Sequence, residues 1–215
     1  MRRGLQLLDR IRAVKQAHEL RAIREAARIT AKAFSEIPRS LREGRTEKEL
    51  AGRIASILKR NGADALAFPV IAAFGKNTAH VHHEPTARKL RKNEAVMLDF
   101  GAVVGGYCSD MTRTIFFGKP SKKFVLWYGR VLEAQKRAIA KVKDGAKAKR
   151  VDEAARSYLA RFTSGKNFPH GTGHGVGLAI HEWPYLRPKN DPLLNRDPIL
   201  RSGMVIIKPQ CFMPD

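Results

Sequence analysis

The sequence predicts an α+β fold. Three observations carry that expectation: two amphipathic helical segments near the start, an apolar hairpin with a glycine pair at its centre, and two more helical segments before a last apolar strand. Helices grouped between sheet segments, rather than alternating with single strands, argue against a doubly wound parallel sheet.

Within residues 15–35, apolar or small residues recur at Leu20, Ile23, Ala27, Thr30 and Phe34, the spacing of one helix face, while Arg21, Arg24, Arg28 and Lys32 fall on the others. A second helix begins at Thr46, which forms a capping-box pattern with Glu49; Leu50, Ile54 and Ile57 point inward, and Asn61-Gly62 ends it. Residues 68–74 form a short apolar run bounded by Pro69 and Gly75 and are expected as a buried strand. Residues 95–104 and 107–117 flank Gly105-Gly106, the pattern of a β-hairpin. Residues 122–143 and 152–162 are expected as helices, the second capped by Asp152 with Ala155, Tyr158, Leu159 and Phe162 on one side. Residues 204–207 are the last expected strand.

A chain of 215 residues has room for one domain with a sizeable core, and 43% hydrophobic content excludes a disordered basic tail. Lys+Arg 41 against Asp+Glu 20 leaves a net charge of +21, which raises nucleic acid or an anionic membrane as a partner. The excess sits in two blocks, residues 1–60 and 121–170, each carrying +9, and these are the helical blocks. Solvated helix faces account for it better than a compact binding stripe does. No apolar run reaches membrane-span length and the N-terminus lacks a signal-peptide core. Two cysteines, Cys108 and Cys211, cannot form a disulfide framework, so a reducing, cytoplasmic setting is expected.

The chemistry-bearing residues cluster. Asp99 and Asp110 lie on the two arms of the hairpin; with a turn at Val104-Gly105 they face each other directly across the strands. Opposed carboxylates in an apolar sheet repel, which leaves two alternatives: an offset turn with one aspartate in solvent, or a divalent cation between them. Six of the seven histidines fall in two windows, His80, His82 and His83 in one and His170, His174 and His181 in the other. Glycines at every other position around His174 suit a close backbone approach or a positive φ. Imidazole with carboxylate is a common ligand set for first-row divalent ions, while His83 and His170 also fit a purely structural role.

The segments Leu98-Asp99-Phe100-Gly101-Ala102, Gly106-Tyr107-Cys108-Ser109-Asp110-Met111-Thr112-Arg113-Thr114 and His170-Gly171-Thr172-Gly173-His174-Gly175-Val176-Gly177-Leu178, with His181-Glu182-Trp183-Pro184, resemble the pita-bread metallopeptidases. That family includes methionine aminopeptidases, Xaa-Pro aminopeptidases, prolidases and creatinases; the wording is closest to the Xaa-Pro aminopeptidases and prolidases. The resemblance runs from about Ala13 to Pro214. It implies a curved antiparallel sheet covered by helices and a site for two divalent metal ions, Mn or Co, with Zn or Fe as other options, held by two Asp, one His and two Glu. Asp99, Asp110 and His174 match three of these ligands, with Asp110 bridging. The ions of such a site generate a hydroxide and polarise the scissile carbonyl. His82 and His181 match positions that line the site and hydrogen-bond substrate or the tetrahedral intermediate. The implied substrate is a peptide with a free N-terminus.

The chain departs from the family pattern at its end. Lys208 stands where the family's fourth ligand, a Glu, belongs, and the fifth lies further on than Asp215. Three readings of Lys208 stay open: a solvated lysine, an ammonium in place of one metal, or a damaged reading frame. The expectation is a single catalytic-type domain over residues 1–215, without a separate N-terminal domain and short of its C-terminal strands, binding two, one or no ions. A metal-dependent aminopeptidase of the Xaa-Pro type leads. The alternative is a catalytically impaired pita-bread module that binds peptide, protein or RNA. A homodimer is open, nucleic acid is the less favoured partner because aromatic residues make up only 7%, and no membrane is expected.

Overall fold

The computed structural model describes residues 2–163, 170–188 and 197–207, without the side chains of residues 2–7. Two compact units divide the chain, one of Arg21–Leu126 and the other of Met1–Leu20 with Trp127–Pro214. The elements in order are α1 (Arg2–Ala13), α2 (Ala17–Glu36), a 3-10 turn (Ile37–Ser40), α3 (Glu47–Arg60), β1 (Ala65–Leu66), β2 (Ile71–Phe74), a second 3-10 turn (Gly75–Ala79), β3 (Glu94–Phe100), β4 (Ala102–Val104), β5 (Tyr107–Cys108), β6 (Met111–Phe117), α4 (Lys122–Ile139), α5 (Ala148–Leu159), β7 (Gly173–Gly175) and β8 (Glu182–Leu186). Among the described residues every strand pairing is antiparallel.

In the Arg21–Leu126 unit, α3 begins where the sequence places it. Thr46 Oγ1 accepts from the Glu49 N–H at 3.1 Å and the Glu49 carboxylate accepts from the Thr46 N–H at 2.7 Å, a complete capping box. Asn61 caps the other end, and Gly62 takes φ 100° to leave the helix. Leu50, Ile54 and Ile57 are buried against Ile29, Ile37, Phe74, Leu98 and Phe100 in the main core. Each such side chain contributes about 1.5–3 kcal/mol on burial. The buried face of α2 differs from expectation: Ile23, Ala26, Ile29, Thr30 and Ala33 are buried, whereas Ala27 is exposed. The small Ala26 and Ala33 let the helix approach closely, and Phe34 stays at the rim, where Arg113 lies 5.7 Å over its ring.

The hairpin supplies strands to two sheets, ordered β2-β3-β6 and β1-β4-β5. Its turn is Gly105-Gly106, with φ 55° and 83°, the positive pair that a two-residue turn of type I′ needs. Between β3 and β4 the chain crosses at Gly101, where a Cβ would lie 1.9 Å from the Ser109 carbonyl oxygen. Only glycine fits that crossing.

In the other unit, α4 and α5 pack through Ala134, Ala138, Val151, Ala155 and Leu159, with Leu186 of β8 and Leu200. The helix α5 starts at Ala148 after Lys147, so Asp152 is not its cap but a fully buried residue one turn inside. Residues 204–207 pair through isolated bridges, Val14 with Met204 and Gly175 with Ile206, rather than as a continuous strand. Lys208 and the segment after it lie outside the described residues. Among the described residues no helix is long and apolar enough to cross a membrane.

Candidate functional site

Asp99 occupies β3, the central strand of its sheet, with Ile71 on one side and Thr112 on the other. The Thr112 hydroxyl donates to Asp99 Oδ1 at 2.8 Å. Asp99 and Asp110 are therefore not directly opposed, which corrects the expected register. The loop is Gly105-Gly106 rather than Val104-Gly105, as the pairing of Val104 with Tyr107 shows, and this displaces each partner by two residues. Asp110 precedes Asp99's true partner by two positions, in the link between β5 and β6. Repulsion between facing carboxylates thus gives no argument for a cation here; both side chains are half-buried on the same hairpin.

The first histidine window is shaped by a carboxylate that sequence reasoning missed. Glu47, in the first turn of α3, is fully buried. It accepts from the Phe74 N–H, the Asn77 amide, and the Thr86 N–H and hydroxyl, and its Oε2 lies 2.8 Å from His83 Nε2. Burial alone would raise its pKa, but the hydrogen bonds from Thr86, His83 and Asn77 outweigh burial and hold it below the ordinary glutamate value. His83 is thereby a structural residue, and His82 beside it is exposed.

The second window belongs to the unit of Met1–Leu20 and Trp127–Pro214. His174 lies on β7 opposite Tyr185 of β8, and its ring is 4.3 Å from the ring of His181. His174 Nδ1 is 2.9 Å from the Gly175 carbonyl oxygen, a contact that makes Nδ1 the donor and leaves the lone pair of the neutral ring on Nε2. The alternating glycines serve close approach within the protein rather than a positive φ. A Cβ on Gly175 would lie 2.4 Å from the Trp183 carbonyl oxygen, and one on Gly177 would lie 2.5 Å from Glu182 Oε2.

Two more buried carboxylates hold this window. Glu182, next to His181, accepts from the Ala179 N–H at 2.9 Å, from Lys15 Nζ at 3.1 Å and from Arg12. Burial would raise its pKa, yet the Ala179, Lys15 and Arg12 donors together bring it below the ordinary value. Asp152 accepts from the Thr172 N–H and hydroxyl and pairs with Arg156, which also donates to the His170 carbonyl at 2.8 Å. The sequence carried one signal for Glu182, its place directly after His181, and none for Lys15, which lies far away in the chain.

The structure thus groups Asp99, Asp110 and His82 in one unit and His174 with His181 in the other. Among the described residues, no three His, Cys, Asp or Glu side chains converge as a ready metal site. Taken unit by unit, the donor types are ones that divalent ions accept: on the hairpin a carboxylate oriented by a hydroxyl and a second carboxylate, and in the other unit an imidazole with its Nε2 lone pair set by a backbone carbonyl.

A family model described as metallopeptidase family M24 matches residues 21–214. A curated relative, the Xaa-Pro dipeptidase of Pyrococcus horikoshii, is 37% identical over 95% of this chain and 57% of its own length. Among solved structures, an Xaa-Pro dipeptidase from Bacillus anthracis superposes with TM-score 0.89 at 35% identity, covering 97% of this chain and 57% of that one. An X-Pro aminopeptidase from Thermotoga maritima gives 0.87 at 33% identity, with coverage of 94% and 55%. The chain spans little more than half the length of the relatives it matches.

Proposed function

The chain belongs to metallopeptidase family M24 and has the family's pita-bread fold, and from that premise we propose that it is a metal-dependent peptidase of the Xaa-Pro type, acting on peptides with a free N-terminus. The observation that carries the reading is the 37% identity to an Xaa-Pro dipeptidase over 95% of this chain, a span that includes both aspartates and both histidine windows. Residues 1–215 are taken as one catalytic-type domain in a reducing, cytoplasmic setting.

Asp99, Asp110 and His174 would hold the divalent ions, manganese or cobalt. Such ions, when bound, activate water and polarise the scissile carbonyl. The protein's own groups do the rest. Thr112 orients Asp99, and the Gly175 carbonyl fixes the tautomer of His174. His82 and His181, both exposed, hydrogen-bond the substrate and the oxygen on which charge develops. The acidic site receives the substrate's free ammonium, which selects N-termini. Hydrolysis adds water across the first peptide bond and releases the N-terminal residue.

The test uses purified protein with added Mn²⁺ and a Xaa-Pro peptide. Release of the N-terminal residue, abolished by Asp110→Ala, supports the reading. No turnover, together with less than one metal bound per chain, overturns it.

A further inference from the structure

We propose that the outer face built by α4 and α5 binds single-stranded nucleic acid, a role separate from peptide hydrolysis. Residues 121–163 hold 12 basic and 4 acidic side chains, and the structure gathers several of them in a way their sequence order does not reveal. At the α4 to α5 connection, an open groove of about 620 Å³ is lined by Lys141, Lys143, Lys147 and Arg150 against only Asp144 and Glu153. The groove continues along α5. Arg150, Ser157 and Arg161, at i, i+7 and i+11, share one face that runs roughly 16 Å into the turn after the helix.

At the far end of that strip, arginines and aromatic rings interleave. Arg130 sits 4.7 Å over Trp127 and 4.1 Å over Phe162, and Arg161 lies within 5.8 Å of Tyr158 and 5.7 Å of Phe162. Tyr158 and Phe162 meet edge to face at 5.3 Å. All three rings are half-exposed. Among the described residues, Arg137 is tied to Glu133 and Arg156 to Asp152, whereas Arg130 and Arg161 form no ion pair. Arg137 also lies 4.5 Å over Tyr158, so each ring carries a guanidinium whose planar orientation is fixed while its N–H edge still reaches outward, the geometry that grips phosphate, and the guanidinium planes with the part-exposed ring edges offer stacking surfaces to unpaired bases. A groove of cations leading to an aromatic platform matches a backbone with bases splayed from it. A second copy of this chain would set like charges against each other, and a duplex would leave the rings without a partner.

The experiment is fluorescence anisotropy with labelled oligouridylate and oligothymidylate of about 15 nucleotides and a duplex of equal length. Both single strands should bind more tightly than the duplex, and the two arms separate an RNA from a DNA preference. With about five phosphate contacts on a single strand, affinity should fall roughly a hundredfold as salt rises from about 50 to 200 mM. The pair Arg130→Gln and Arg161→Gln should weaken binding at least tenfold and flatten the salt slope by about 1.4. The charge-matched pair Lys48→Gln and Arg53→Gln on α3 should change it less than threefold. Should the glutamine variant lose its circular dichroism spectrum, Arg130→Lys with Arg161→Lys keeps the charge and tests planarity alone, with a smaller but measurable loss expected. Absence of binding, salt-insensitive binding, tighter binding to duplex, or equal losses in the α3 pair overturns the proposal. So does binding only to phosphatidylserine vesicles or polyglutamate, which would assign the face to a lipid or an acidic peptide.

Discussion

Asp152 Oδ1 accepts hydrogen bonds from both the backbone N–H of Thr172, at 3.0 Å, and its hydroxyl, at 2.5 Å, so a carboxylate buried within α5 anchors the chain two residues before His174. Glu47 does the same for the loop that carries His82, and Glu182 for the loop of His181. Each histidine matched to the family site thus lies in a segment held by a buried acid. Two of these three acids, Glu47 and Asp152, lie outside the segments that carry the family resemblance.

Asp152→Ala should destabilise the protein by about 2–4 kcal/mol, because the Thr172 N–H and hydroxyl lose their buried acceptor and Arg156 loses its carboxylate while keeping the His170 carbonyl. Thr172→Val removes a single hydroxyl bond and should cost about 1–2 kcal/mol. Urea denaturation of the two variants checks the ranking; a smaller loss from Asp152→Ala than from Thr172→Val would contradict the anchor.

Acid should unfold the protein partly through Glu47 and Glu182. Both are held below their ordinary pKa of 4.5, so as pH falls the unfolded chain takes up protons first. Their stabilising contribution is complete above 4.5 and is lost as pH drops through the lower folded-state values. Glu182→Gln, which cannot titrate, should show a shallower fall in urea midpoint between about pH 5 and 3 than the wild type. Parallel curves would remove Glu182 from the acid response.

Thr112→Val keeps the shape of the strand but removes the donor to Asp99. Loss of such a supporting hydrogen bond typically weakens metal binding about 10–100-fold. Titration calorimetry with Mn²⁺ should show that drop with an unchanged melting temperature. Unchanged affinity would separate Asp99 from the metal.

Gly175→Ala forces a methyl to within 2.4 Å of the Trp183 carbonyl oxygen, a backbone atom that cannot swing aside. The strands β7 and β8 must part, at a cost of about 1–3 kcal/mol. The ring resonances of His174 and His181, whose centroids lie 4.3 Å apart, should shift in NMR spectra. Unperturbed rings would show that the glycine is dispensable.

Thr46→Ala should cost about 0.5–2 kcal/mol, the usual worth of a helix N-cap. Thermal melts measure it, and a neutral result would mean that Glu49 alone secures the first turn of α3.

What the sequence made legible was mostly local. The Thr46 capping box and the Asn61-Gly62 stop are each encoded within a few residues, and each is found where expected. Register was harder: placing the turn one residue early moved Asp99 from its true partner Thr112 to Asp110. The buried face of α2 is hard to place from sequence because alanines carry little hydrophobic signal, yet Ala26 and Ala33 are fully buried. Asp152 fits a helix cap by sequence because caps and buried anchors share a residue type. The ion pairs of Glu182 with Lys15 and Arg12 span most of the chain. Only the tertiary fold brings such partners together.

The crossing at Gly101 has a bearing on cooperativity. Because β3 and β4 follow each other across the single residue Gly101 and feed two sheets, releasing the hairpin arms from one sheet disturbs the ladder of the other. Amide protons of Leu98 and Val103, on either side of the crossing, therefore belong to a single opening unit. They should exchange with deuterium at a common free energy rather than fraying sheet by sheet.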